Sequence, residues 1–231
     1  MNFPWERLAD GVHRCRIPFL DVTVGLVHGG SGTLLVDTGT TLEEANAVDA
    51  DVAEITGGPV THVVLTHNHF DHILGSSAFS GATVYCAPQV AETIAGRAAW
   101  LQREAVRYGA DPEEVSRAAA ALRAPQRVVL EADIDLGGRS VSVVHPGLGH
   151  TDHDVVVVVP GPTRTVVFCG DLVEESGDPA IDEDSDPAAW PATLSRLLDL
   201  GGPDARFVPG HGAVVDAAFV EDQRRWLLAR M

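Results

Sequence analysis

Thr66-His67-Asn68-His69-Phe70-Asp71-His72 follows directly on the apolar run Val63-Val64-Leu65. Within it, four side chains able to ligate a metal fall inside six residues: His67, His69, Asp71 and His72. On an extended backbone successive side chains alternate, so His67 and His69 project to one side. A helix would separate them, because residues two apart do not share a helical face. Asp71 and His72 follow on a chain that must turn, which lets them face a second point beside the first. The spacing predicts a strand-end loop holding two adjacent metals.

Outward from this loop, short β-branched runs bounded by glycine and proline predict strands. In the first half they cover 12–17, 22–27, 33–36, 61–65 and 83–86, and in the second 140–145, 155–159, 165–169 and 206–208. Residues 155–159 are all valine, as expected of a strand covered on both faces. Helices are predicted over 43–55, closed by Gly57-Gly58-Pro59, over 186–200 and over 217–230. Between the halves, two helical stretches break at Gly109-Ala110-Asp111-Pro112, with Asp111 a suitable N-cap ahead of Pro112. This segment carries Trp100 and Tyr108 and reads either as a lid or substrate wall or as packed surface helices. Strands separated by helices place sheet inside and helix outside. The expectation is an α/β fold, one domain over residues 1–231 with a helical insertion at about 89–124.

Composition narrows the function. At 45% hydrophobic the chain is that of a soluble globular protein, and no apolar run approaches the ~20 residues of a membrane span. Met1-Asn2-Phe3-Pro4-Trp5-Glu6-Arg7 has no basic region leading into an apolar core, which predicts no secretory signal. Cys15, Cys86 and Cys169 are widely spaced and form no CxxC pair, so free buried thiols in a reducing cytoplasm are expected. With 33 acidic and 16 basic residues the net charge is −17, which disfavours polyanions. The expected partner is a small molecule, with no nucleic acid and no membrane. The oligomeric state stays open, a homodimer included.

Three more polar residues stand at predicted strand ends: His150 in Gly149-His150-Thr151, Asp171 in Cys169-Gly170-Asp171, and His211 in Pro209-Gly210-His211-Gly212. Each has glycine beside it, which lets backbone crowd a metal centre. Alone, each would read as structural; their joint occurrence, five histidines and two aspartates, argues for one site. His153 reads as a solvated loop residue, with support of a ligand or contact to substrate as the alternative. The acidic stretch 174–184 reads as a solvated loop or as a wall selecting against anionic substrates.

These motifs, with Asp37-Thr38-Gly39 after the strand at 33–36, resemble the metallo-β-lactamase superfamily in kind and order over residues ~33 to 212. The resemblance implies a four-layer αββα sandwich of two similar halves, with the site along one edge. It implies that His67, His69 and His150 hold a first metal, that Asp71, His72 and His211 hold a second, and that Asp171 bridges both. Asp37 would orient a ligand imidazole without touching metal. Two zinc ions are implied, with iron or manganese as alternatives. The implied activity is a dinuclear hydrolase that turns an activated water on a small carbonyl substrate: an ester, thioester, lactone or related amide. Asp71 would orient that water and accept a proton. Trp100, Tyr108 and His153 are the candidates for a substrate pocket.

Departures from individual branches sharpen the expectation. Family members that open β-lactams lack the bridging aspartate and are usually exported, whereas Asp171 is present here. Diiron oxygen reductases carry a carboxylate where His69 stands. RNA-processing members add a large insertion or a basic arm. Glyoxalase II enzymes match all seven ligands but add a basic C-terminal helical part for glutathione, where about twenty residues follow His211 here. Quorum-signal lactonases place a tyrosine near the bridge that neither Tyr85 nor Tyr108 matches. The rivals to the small-carbonyl hydrolase are a glyoxalase II-like thioesterase and a mononuclear iron oxidoreductase resembling persulfide dioxygenases.

Overall fold

Alternating apolar positions in the central strands divide the core into two compartments, and that division sets the architecture. A computed structural model describes residues 1–230. The first half comprises β1 (Glu6–Ala9), β2 (Val12–Ile17), β3 (Val22–His28), β4 (Thr33–Val36), α1 (Leu42–Thr56), β5 (His62–Val64), α2 (Phe70–Ile73), a 3₁₀ turn at Leu74–Ala78, and β6 (Thr83–Cys86). Helices α3 (Pro88–Gly96), α4 (Ala98–Arg107) and α5 (Pro112–Ala121) then lead to β7 (Arg127–Val128). The second half comprises β8 (Glu131–Asp135), β9 (Ser140–Val144), β10 (Val156–Val159), β11 (Val166–Glu174), α6 (Trp190–Gly201), β12 (Arg206–His211) and α7 (Ala217–Leu228).

Strands β1 to β7 neighbour one another in chain order, antiparallel as far as β4 and parallel from β4 to β7. Strands β8 to β12 form a second run, antiparallel except for the parallel pair β11/β12. The two runs join where His211 pairs with Val22. In β10, Val157 and Val159 enter the core shared with the first half, while Val156 and Val158 enter a second core under α6 and α7. In β11, Val166 and Phe168 face the shared core, and Val167 and Cys169 the other. The valine run is thus covered on both faces, and the sheets lie inside helices in the αββα order. The sheets approach closely: a Cβ on Gly25 of β3 would sit 2.4 Å from the Phe168 ring.

Local chemistry explains the helix starts. Thr41 and Glu44 form a capping box ahead of α1, which ends on Gly57 at φ 74°. Asp111 caps α5 through the backbone N–H of Glu113 and Glu114, as its place before Pro112 predicts. The segment between β6 and β7 holds three helices rather than two, because α3 ends at Arg97 before α4 begins. The helix expected from 186 begins at Trp190, because Asp186 first closes a turn through the N–H of Ala189. Edge strands β1 and β8 escape the apolar reading: β8 is Glu-Ala-Asp-Ile-Asp, with the three acids turned to solvent.

Candidate metal centre

Asp171 and His211, expected just past strands ending at 169 and 208, lie within longer ones. Asp171 lies within β11, which continues to Glu174, and His211 is the last residue of β12. The difference comes from Gly170, which adopts φ 51° and shifts the register against β12. Such a bulge re-aims the next side chain without ending the strand. Asp171 thereby reaches the space between the histidine loop and β12.

The structure brings the seven expected residues together in two groups. His67, His69, His150 and Asp171 offer ligand atoms within 4.8 Å of one another, and so do Asp71, His72 and His211. The rings of His67, His69 and His150 stand 4.7–4.8 Å apart and within a few degrees of mutually perpendicular, like three walls of a corner. Asp171 faces both groups. Its Oδ2 lies 3.6 Å from His67 Nε2, 3.8 Å from His150 Nε2 and 3.4 Å from His211 Nε2, while Oδ1 lies 3.3 Å from His72 Nε2. Asp71 Oδ2 is 3.6 Å from His72 Nε2 and 3.4 Å from His211 Nε2.

These residues fit a metal on two grounds. The buried atoms His67 Nε2, His150 Nε2 and Asp171 Oδ1 have no hydrogen-bond partner, a cost that a shared cation would remove. The separations also match the edges of a tetrahedron: ligands ~2.0–2.1 Å from an ion stand roughly 3.3 Å from each other. His69 and His211 are the histidines of the set that reach solvent, so the site opens on their side.

Four of the five imidazoles, those of His67, His72, His150 and His211, are held from behind. His72 Nδ1 donates to Asp37 Oδ2 at 2.9 Å. Asp37 also accepts from the Thr66 amide and hydroxyl, each at 2.8 Å. Since the Thr66 hydroxyl donates to Asp37, its oxygen accepts from His67 Nδ1 at 2.9 Å. Asp37 therefore supports His72 directly and His67 through Thr66, one residue behind both groups. It holds φ 61°, a left-handed backbone uncommon outside glycine. His211 Nδ1 donates to the Leu20 carbonyl, and His150 Nδ1 to Asp154 Oδ1. The sequence reading missed Thr66, Leu20 and Asp154. Asp154 carried a signal, a carboxylate four residues after a ligand histidine; the Leu20 carbonyl carried none.

The electrostatics follow. Burial works to lower the pKa of His72, but Asp171, Asp71 and Asp37 outweigh it and hold that imidazole well above its ordinary value. Burial likewise opposes protonation of His211, and Asp171 with Asp71 pushes it up to about 10. His67, where burial and the neighbouring His72 act together, is held well below. Burial would raise Asp171, yet the His72, His211 and His67 imidazoles hold its carboxyl well below the usual range. A centre that attracts protons this strongly attracts a cation for the same reason.

The other candidates are not members of the two groups. His153 is buried at 2% exposure, which overturns the solvated reading. Its N–H donates to Thr151 Oγ1 and its Nδ1 to Asp152 Oδ1, and together these turn the ring inward. Tyr108 is exposed and packs at a 37° tilt against Phe70, the neighbour of Asp71, with ring centres 5.6 Å apart. Trp100 packs against the shared core beneath the Arg97 guanidinium. The acidic loop is pinned at both ends. Glu175 Oε2 accepts from the Ala213 amide beside His211, and at the far end Ser185 Oγ donates to the His150 carbonyl and the Asp186 amide to that of Gly149. Residues 176–184 between these anchors are mostly exposed.

The family model of the metallo-beta-lactamase superfamily matches residues 17–211. The metallo-beta-lactamase domain-containing protein 1 of Xenopus laevis is 28% identical over 199 residues, 83% of this chain and 71% of that protein. The hydroxyacylglutathione hydrolase of Acidiphilium cryptum is 31% identical over 197 residues, 85% of this chain and 67% of that one. Among solved structures, a metallo-beta-lactamase from Pontibacter korlensis superposes with a TM-score of 0.74 at 22% identity, covering 98% of this chain and 99% of that chain. One from Pseudomonas aeruginosa superposes at 0.72 with 18% identity, covering 99% and 96%. The latter two share the fold. With its family matched from β2 through the last residue of β12, the chain belongs to the metallo-β-lactamase superfamily of metallo-hydrolases.

Proposed function

We propose that this protein is a two-metal hydrolase, loaded with zinc, acting on a small ester, thioester, lactone or related amide. The observation that carries this reading is the Asp171 carboxylate, which lies within 3.3–3.8 Å of nitrogens from both groups. In this reading His67, His69 and His150 hold one metal, Asp71, His72 and His211 the other, and Asp171 bridges them. When bound, the pair supplies an activated water and a Lewis acid for the substrate carbonyl. Asp71, beside His72 and His211, orients that water and takes up a proton from it. Asp37 directly keeps the His72 imidazole from turning, and the His67 imidazole through Thr66.

A bridging carboxylate sets the proposal apart from β-lactam opening, and the hydroxyacylglutathione hydrolase relative supports a thioester as one member of the substrate class. The setting is cytoplasmic in this reading, supported by three buried free cysteines. No helix among the described residues is long and apolar enough to cross a membrane.

The test is elemental analysis of protein purified without added metal, followed by turnover of p-nitrophenyl esters, thioesters, lactones and phosphodiesters before and after chelation. Two zinc ions per chain with chelator-sensitive carbonyl hydrolysis is the expected result. One iron with oxygen uptake would overturn it.

A further inference from the structure

We propose that Asp154 is the positioning residue of the three-histidine group, fixing His150 in the tautomer that turns Nε2 inward while backing His67 with the same oxygen. The inference rests on the two-metal reading and assigns a role to a residue outside the ligand set.

Asp154 is fully buried, at 0% exposure. A carboxylate removed from water is costly unless donors surround it, so its neighbours reveal its use. Oδ2 accepts from the amide and hydroxyl of Thr151, both at 2.6 Å. Oδ1 lies 3.0 Å from His150 Nδ1 and 3.8 Å from His67 Nδ1. The backbone is held as well: the Asp154 carbonyl accepts from His145 Nδ1 at 2.8 Å, and the next amide, Val155, donates to the Thr66 carbonyl at 2.9 Å.

A carboxylate can only accept, so His150 Nδ1 must carry the proton and Nε2 the lone pair. That Nε2 is buried and has no other hydrogen-bond partner, within the group shared with His67, His69 and Asp171. His67 Nδ1 is already engaged by Thr66, so the 3.8 Å approach of Asp154 acts on that ring as charge rather than as a hydrogen bond. A negative charge behind both rings makes each a better donor to a cation in front. The second group has other supports, Asp37 behind His72 and the Leu20 carbonyl behind His211. Loss of Asp154 should therefore weaken one metal subsite and spare the other.

The experiment titrates metal-free wild type, Asp154→Ala, Asp154→Asn and Thr151→Val with cobalt(II), in competition with a chromophoric chelator. The visible spectrum reports each subsite, and the melting temperature of the metal-free forms reports folding. Asp154→Ala is expected to lower affinity at one subsite by ~10–100-fold, with the other near wild type. Asp154→Asn keeps an acceptor oxygen and Thr151→Val keeps the carboxylate, so both should lose less. A purely structural Asp154 would lower the metal-free melting temperature and leave both affinities unchanged; that outcome, or an equal loss at both subsites, overturns the inference. Should Asp154→Ala fail to fold, Asp154→Asn decides between the same outcomes. Wild type that binds no metal would instead sink the two-metal reading, and this inference with it.

Discussion

His211 Nδ1 donates to the carbonyl of Leu20, 2.8 Å away and 191 positions earlier in the chain. A residue at the end of the second half is thus oriented by the β2–β3 turn of the first. That turn is unusual, since Leu20 and Asp21 hold φ 56° and 59° without being glycine. Leu20→Asn keeps the carbonyl and suits the left-handed backbone, so metal content should be unchanged. Leu20→Pro fixes φ near −65° and swings the carbonyl away. It should weaken metal binding at the Asp71, His72 and His211 group, read as loss of the second equivalent in a metal titration.

Asp37→Ala would strand three donors, the Thr66 amide, the Thr66 hydroxyl and His72 Nδ1. Removing one partner of a buried ionic cluster costs about 3–5 kcal/mol. For a chain of this size that is a fall of about 10 °C in the melting temperature. Both metal affinities should drop, because Asp37 stands behind both groups. Scanning calorimetry with elemental analysis checks the two effects separately.

Gly210→Ala tests the close approach of β12 to the bridge. A Cβ at Gly210 would fall 1.8 Å from Asp171 Oδ1, so either the carboxylate or the strand must move. Expected is protein that still folds, with at least a ~10-fold loss of metal affinity from a displaced bridge. Retention of two metals at wild-type affinity would show that Asp171 does not need its observed position.

The metal-free protein should be most stable near pH 6.5. His211 titrates near 10 when folded and near 6.5 when not, and His72 is shifted the same way. Their stabilisation is fully present below 6.5 and is lost as pH rises toward 10. His67 and His69 are shifted down, first of all by burial, so their effect has the opposite sign and stability falls as the pH drops below 6.5. Metal competes with the protons on His72 and His211, so its affinity should climb over the alkaline part of that range. Melting curves with and without zinc, from about pH 5 to about pH 10, test both statements.

The ligands were legible in the sequence because their identity and their placement at strand ends carry the same message. The valine run of β10 was legible too, since side chains that are apolar on both faces of a strand must both be covered. What stayed hidden was the support beyond Asp37. Leu20 acts through its backbone, which any residue supplies, and Thr66 acts because it and His72 converge on Asp37, 29 and 35 positions earlier in the chain. Asp171 and His211 were expected just past strands that in fact run on to include them, because glycine resembles a strand stop, whereas Gly170 here bends β11 without ending it. His153 looked solvated because nothing local announces that Asp152 and Thr151 turn it inward. β8 was invisible as an edge strand with acids on its open face.

The acidic segment between Ser176 and Asp184 hangs from two posts, Glu175 on the Ala213 amide and Ser185 on the His150 carbonyl. Both posts are fixed by the turns that carry His211 and His150. The chain between them can therefore change in length and charge at little cost to the centre beneath. Selection, or a designer, can exchange this span as a cassette and alter which molecules are admitted while the chemistry below is inherited unchanged.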